Sequence, residues 1–236
     1  MAADGRGEMR RVVVTAKFFS ECKVWAIALL AIVLPKNMMR LNLVEIMKLQ
    51  HASLVFPSSA RCLAFRLLAR QCLGRADGDS MNNLAVCYAL GVGTAKDDRK
   101  AFLWYKASSC AGCGYAAHSL GGCYYNGWGT SVNYELAFQA FLQAVRLGRY
   151  SAACFLGLMY SRGEYVEKSQ EKSFFWYRIG ALNGDANSQY DLSKCLRRGE
   201  GCLTDGNSAD LWLHLAAKNG SEEACDDLKN EVHKIQ

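Results

Sequence analysis

Leucine recurs at Leu84, Leu120, Leu156, Leu192 and Leu228, always 36 residues after the last. Two glycine ladders run in the same phase: Gly91, Gly127, Gly163 and Gly199, and Gly112, Gly148, Gly184 and Gly220. A chain that repeats itself at an interval of a few tens of residues folds as stacked supersecondary units rather than around one central core. This period therefore constrains the architecture more than composition does.

Each rung has a physical meaning. Leu84 and Tyr88 lie four apart, as do Leu120 with Tyr124 and Leu156 with Tyr160, so each pair shares one face of a helix. The neighbouring position holds Ala85, Gly121, Gly157 and Ser193, small residues that let a second helix approach closely. Gly91 and its equivalents follow the last apolar residue, where a left-handed residue without a Cβ ends a helix. They are helix stops, not a phosphate cradle. Asp97, Asn133, Ser169 and Asp205 come next in phase, and all four are residue types whose side-chain oxygen caps a helix N-terminus. The second helix carries Ala101, Trp104, Tyr105 and Ser108 in the first unit, Ser173, Trp176, Tyr177 and Gly180 in the third, and Ala209, Trp212, Leu213 and Ala216 in the fourth. That is the spacing of one helical face, and a helix pair so short cannot bury it alone.

The ordered pattern of Leu120-Gly121, Tyr124, Gly127, Gly129, Asn133, Ala137 and Gly148, with its in-phase copies, resembles the Sel-1-like repeat, a relative of the tetratricopeptide repeat. The resemblance covers residues 80–235 as four units and a final helix. It implies an all-α, right-handed superhelical solenoid of helix-turn-helix repeats. Departures from the pattern are Tyr165 in place of the second glycine of the third unit, Ala140 in place of a tryptophan, and Leu213 in place of a tyrosine. Residues 59–79 read as a degenerate repeat or capping helix whose register is off by one or two. Residues 221–236 read as a polar C-terminal cap, with Glu222 and Glu223 at its start.

Residues 1–80 carry 12 Lys and Arg against 6 Asp and Glu, whereas residues 81–236 carry 16 of each. The net charge of +6 is thus N-terminal. A balanced body does not suit nucleic acid, whose phosphates need clustered cations. Within residues 1–58 an apolar run opens at Val24 and closes at Leu34, behind Arg10, Arg11, Lys17 and Lys23. It is shorter than the ~20 residues a membrane span requires. A packed first helix is the expectation, with a targeting segment or membrane anchor as the alternative. Cytoplasmic residence follows from the first reading; a mitochondrial or membrane-associated location follows from the second.

Several motifs tempt a chemical reading. Cys110, Cys113, His118 and Cys123 have zinc-knuckle spacing, but they straddle the repeat ladder in a way that makes Leu120 and Cys123 consecutive turns of one helix, so they are expected to pack rather than bind metal. Some bacterial members of the resembled family clamp each unit with a disulfide. The matching positions here, Ser109 with Ala116, Val145 with Ala152, Ala181 with Ser188 and Ala217 with Ala224, hold no cysteine, and the 11 cysteines point to a reducing compartment. The CX9C pairs Cys62 with Cys72 and Cys113 with Cys123 lie a whole unit apart, too far to form a twin motif. The S-x-x-K strings Ser20 to Lys23 and Ser169 to Lys172 lack the companions of penicillin-recognising enzymes. His51, His118, His214 and His233 fall in four separate elements, none beside a nucleophile. No catalytic residue, cofactor or metal is therefore expected, and a hydrolase is the weakest alternative. Trp104, Trp176 and Trp212 are expected in the core rather than in a ligand cage.

The resemblance implies an adaptor or scaffold that binds a protein partner on its concave face, as a monomer. By the ladder, that face includes Val86, Gly122, Leu158 and Lys194, with Tyr125, Ser161 and Arg197 one turn on. Its candidate contact residues are Tyr125, Leu158, Arg162, Lys194, Arg197 and Arg198, and its growing basicity suits an acidic or amphipathic segment. An organelle-imported or membrane-associated assembly factor is the alternative.

Overall fold

The computed structural model describes residues 58–74 and 77–235. Ten α-helices account for them and no strand occurs among them: α1 Ser58–Gly74, α2 Gly78–Leu90, α3 Asp98–Cys110, α4 Gly114–Asn126, α5 Tyr134–Arg146, α6 Ala152–Arg162, α7 Gln170–Leu182, α8 Ala186–Arg198, α9 Gly206–Lys218 and α10 Glu222–Ile235. The apolar run from Val24 to Leu34, Ser20 to Lys23 and His51 lie outside the described residues, and no described helix is long and apolar enough to cross a membrane.

The four pairs α2–α3, α4–α5, α6–α7 and α8–α9 stack in chain order as a helical solenoid. Each first helix stops at a left-handed glycine: Gly91, Gly127, Gly163 and Gly199 have φ between 71° and 77°. Each second helix starts at the expected cap, with Asp97, Asn133, Ser169 and Asp205 accepting from the backbone N–H three residues on. The same cap residues donate their own N–H back to the carbonyls of Tyr88, Tyr124, Tyr160 and Leu196, at 2.8–3.0 Å. One hydrogen-bond pattern therefore closes every turn within a unit. Ser169, which opens an S-x-x-K string, is occupied as a cap: its Oγ accepts from the Lys172 N–H.

The small positions work by contact. A Cβ on Gly121 would meet the Phe141 ring at 2.6 Å, and one on Gly157 would meet the Tyr177 ring at 2.6 Å. In these two units the second helix thus lays its ring directly on the first helix. Between units the approach is closer still. A Cβ on Gly129 would stand 2.0 Å from the Asp98 carbonyl oxygen of the unit before, and one on Gly201 would stand 2.1 Å from that of Gln170. Tyr165 occupies the equivalent place in the third unit at φ 66°. It has a Cβ, so its loop cannot press as closely on the second unit; instead its ring rests 5.7 Å from Phe138 and its hydroxyl reaches Glu135 at 3.5 Å.

The tryptophans pack against the core, as the sequence expectation has it, but they are not its centre. The buried residues are their neighbours Tyr105, Tyr177 and Leu213, while Trp104, Trp176 and Trp212 are half-buried and pack along the cluster edges. Adjacent residues on a helix point about 100° apart, and here the second of the pair points at the unit's own first helix. At the ends, Phe65 of α1 packs edge-on against Tyr88 at 5.3 Å, and the Arg61 carbonyl lies where a Cβ on Gly93 would fall. α1 thus stands in for the second helix of a preceding unit. At the other end Ala224 of α10 closes over Leu213 and Ala216.

Candidate partner-binding face

The first helices α2, α4, α6 and α8 lie side by side with α10 after them, and residues 37 apart meet across neighbours in this row. The His118 ring is 5.5 Å from Phe155, the Cys154 thiol donates to Asp191, and the Tyr190 hydroxyl donates to Asp227 at 2.9 Å. The expected contact residues belong to this strip or its border. Tyr125 is half-buried, with rings of Tyr134 and Phe155 around it at 5.4 and 6.1 Å. Its hydroxyl donates to Glu164 at 2.7 Å and accepts from Arg162 at 3.0 Å, which brings two of the expected residues together. Burial and the facing Glu164 carboxylate push the Tyr125 phenol up to about 12.

The other cations are held one by one. Lys194 pairs with Asp191 at 3.1 Å and lies 4.7 Å over the Tyr190 ring. Arg197 pairs with Asp210 at 2.8 Å, tying α8 to α9, and Arg198 pairs with Glu200 at 3.6 Å. Arg162 likewise has Glu164 at 3.6 Å. The strip is thus basic in sequence and largely compensated in space. Leu158 is half-buried on α6.

Sequence reasoning missed the apolar residues of this region. Trp128 is 57% exposed and Leu90 61% exposed, and Tyr115 is exposed beneath the Arg149 guanidinium at 4.4 Å. The Trp128 ring reaches to 3.8 Å of where a Cβ on Gly122 would stand. Its signal was available: the same loop position holds Val92, Glu164 and Glu200 in the other units, so a tryptophan there has no core to enter.

The remaining candidates disperse. Cys110 is exposed at the end of α3, Cys113 begins α4, and His118 and Cys123 lie within α4 as one continuous helix. Burial beside Phe141 and Phe155, with the Arg149 charge adding to it, lowers the His118 imidazole to about 4. No group of three His, Cys, Asp or Glu placed to hold a metal occurs among the described residues. The ten cysteines among them carry free thiols. At the positions where a disulfide framework would sit, Ser109, Ala116, Ala152, Ala181, Ser188 and Ala224 are buried as small packing residues.

Four successive stretches, residues 78–113, 114–148, 151–185 and 186–221, match the Sel1 repeat. The chain belongs to the Sel1 repeat family. The matched Sel1 units are the four helix pairs that bring the strip together. In fold it is similar to a Sel1 repeat protein from Oxalobacter formigenes, at 24% identity over 78% of this chain and 84% of that one, with a TM-score of 0.64. It is also similar to a protective antigen present in uropathogenic Escherichia coli strains displaying an SLR fold, at 25% identity over 71% of this chain, with a TM-score of 0.59. The alignment covers 39% of that second protein. No curated protein matches the chain by sequence.

Proposed function

We propose that this Sel1 repeat protein is a scaffold that binds one protein partner along the concave side lined by α2, α4, α6 and α8. The observation that carries the reading is Trp128: a tryptophan more than half exposed, at the border of the strip, beside a glycine that leaves room for an incoming side chain. Rigid aromatic anchors of this kind dominate the energy of protein interfaces. Arg162, Lys194, Arg197 and Arg198 add orientation rather than strength, because an entering acidic or amphipathic segment must exchange for Glu164, Asp191, Asp210 and Glu200. Exposed ion pairs contribute about 0.2–1 kcal/mol each.

The test is affinity capture with the full chain, identification of the retained protein, and repetition with Trp128→Ala and with Arg197→Glu/Arg198→Glu. The aromatic truncation is expected to lose most of the captured protein and the charge reversal to weaken it in a salt-dependent way. Equal recovery with Trp128→Ala would remove the proposal.

A further inference from the structure

Glu164 follows the left-handed glycine that ends α6, and its side chain folds back onto the strip. Tyr125 of α4 donates to its Oε2 at 2.7 Å, and Arg162 stands 3.6 Å from its Oε1. Although it leaves from a surface turn, the Glu164 side chain is only 19% exposed, against 57% for Arg162. In the next turn Glu200 meets Arg198 at 3.6 Å in the same way, but the place of Tyr125 is taken there by Ser161. In the two earlier turns the place of Glu164 is held by Val92 and Trp128. The repeat itself therefore does not require a carboxylate between a phenol and a guanidinium at this point.

Its surroundings suit an acid beside an apolar contact. Burial and the Glu164 carboxylate push the Tyr125 phenol up to about 12, so at neutral pH it offers a proton and adds no negative charge. Arg162 supplies the positive charge, and its Nη1 donates to the phenol oxygen at 3.0 Å, which leaves the hydroxyl proton to the carboxylate. Hydrogen bonds to an ionised acceptor are roughly twice as strong as neutral ones. The exposed ring of Tyr134 lies 5.4 Å from that of Tyr125, and the exposed Trp128 and Val132 belong to the turn between them. Resting on the reading of this strip as the partner face, we propose that Glu164 is an internal stand-in for the partner. The partner segment carries an Asp or Glu next to an apolar side chain; its carboxylate replaces Glu164 on Tyr125 and Arg162 while the apolar side chain packs on Trp128. Glu164 competes from the same chain at high effective concentration. It therefore yields to a segment that brings both contacts and not to a free anion, which makes the turn a specificity gate.

The experiment presents a phage-displayed library of random short peptides to the immobilised full chain, then titrates a selected peptide by calorimetry against the wild type and its variants, with folding checked by circular dichroism. The selected peptides are expected to carry Asp or Glu beside an apolar residue. Glu164→Gln, which keeps the shape of the side chain and removes its charge, is expected to bind such a peptide about ten-fold tighter than the wild type does. Tyr125→Phe is expected to bind it about ten-fold more weakly. The same peptide with its acid changed to the amide is expected to bind the wild type more weakly and to lose little more on Tyr125→Phe, since both changes remove one contact. Peptides with no acidic preference, an amide version that binds the wild type equally well, or a Glu164→Gln chain that melts lower and binds the acidic peptide no better would make Glu164 a staple between α4 and α6 and overturn the inference. If those peptides are nonetheless lost with Trp128→Ala, the partner face itself stands. A library that yields no peptide for any of the chains would overturn both.

Discussion

Replacing Gly129 and Gly148 by alanine, separately, asks what each glycine ladder is for. Both residues have positive φ, 70° and 80°. Holding alanine there costs about 1 kcal/mol, offset in part by the lower entropy of the unfolded chain. At Gly148 nothing lies within 4 Å of the added methyl, so the strain is the whole cost. At Gly129 the methyl lands 2.0 Å from the Asp98 carbonyl oxygen and 2.5 Å from its carbon. Those are backbone atoms of a neighbouring helix, so relief requires the first and second units to part. Overpacking of this kind adds about 1–3 kcal/mol. The expected totals are about 1 kcal/mol for Gly148→Ala and about 3 kcal/mol for Gly129→Ala, or melting shifts of roughly 2–4 °C and 10 °C in a domain of this size. Melting curves by circular dichroism measure both. Equal losses at the two sites would refute the view that Gly129 serves the contact between units while Gly148 serves only its own turn.

Three further outcomes follow from the packing and the site. Tyr105→Ala is expected to cost about 3–5 kcal/mol and Trp104→Ala clearly less, because the tyrosine is the buried member of the pair; urea midpoints decide the order. His118 is held near 4 in the fold against about 6.5 unfolded, so stability is level above pH 6.5, falls as pH drops toward 4 because the unfolded chain takes up the proton first, and loses about 3 kcal/mol across that window. His118→Leu should flatten that part of the pH profile. Asn133→Ala removes the cap of α5 and is expected to lower stability by about 1 kcal/mol, with Asn133→Asp restoring it.

The parts of the fold legible in the sequence are those set within one unit. Asp97, Asn133, Ser169 and Asp205 could be named as caps because a cap acts on N–H groups three residues away. Gly91 and its equivalents could be named as stops because the left-handed conformation is a property of the residue itself. The small residues Gly121 and Gly157 were legible as sites of close approach, and Phe141 and Tyr177 fill them. Burial of Tyr105 over Trp104 was not legible, since both lie on one apolar stripe and the choice depends on how the next helix leans. The candidate site shows the same division. Periodicity brought Tyr125 and Arg162 to neighbouring helices, but their shared partner Glu164 lies 39 residues from Tyr125 and off the ladder. Arg197 reads as a surface cation until the turn between α8 and α9 brings Asp210 to it.

The claim beneath all of this is that 36-residue units hold one another up, so any unit is dispensable if the ladder is rejoined in phase. Deleting residues 114–149 joins Cys113 to Tyr150, the residue 36 positions after Gly114. Circular dichroism with thermal melting of this deletion, beside one that ends half a period earlier at residue 131, is the direct measurement. The in-phase chain is expected to remain helical and melt cooperatively at a lower midpoint, and the out-of-phase chain to lose its cooperative transition. Equal behaviour of the two deletions would contradict the account.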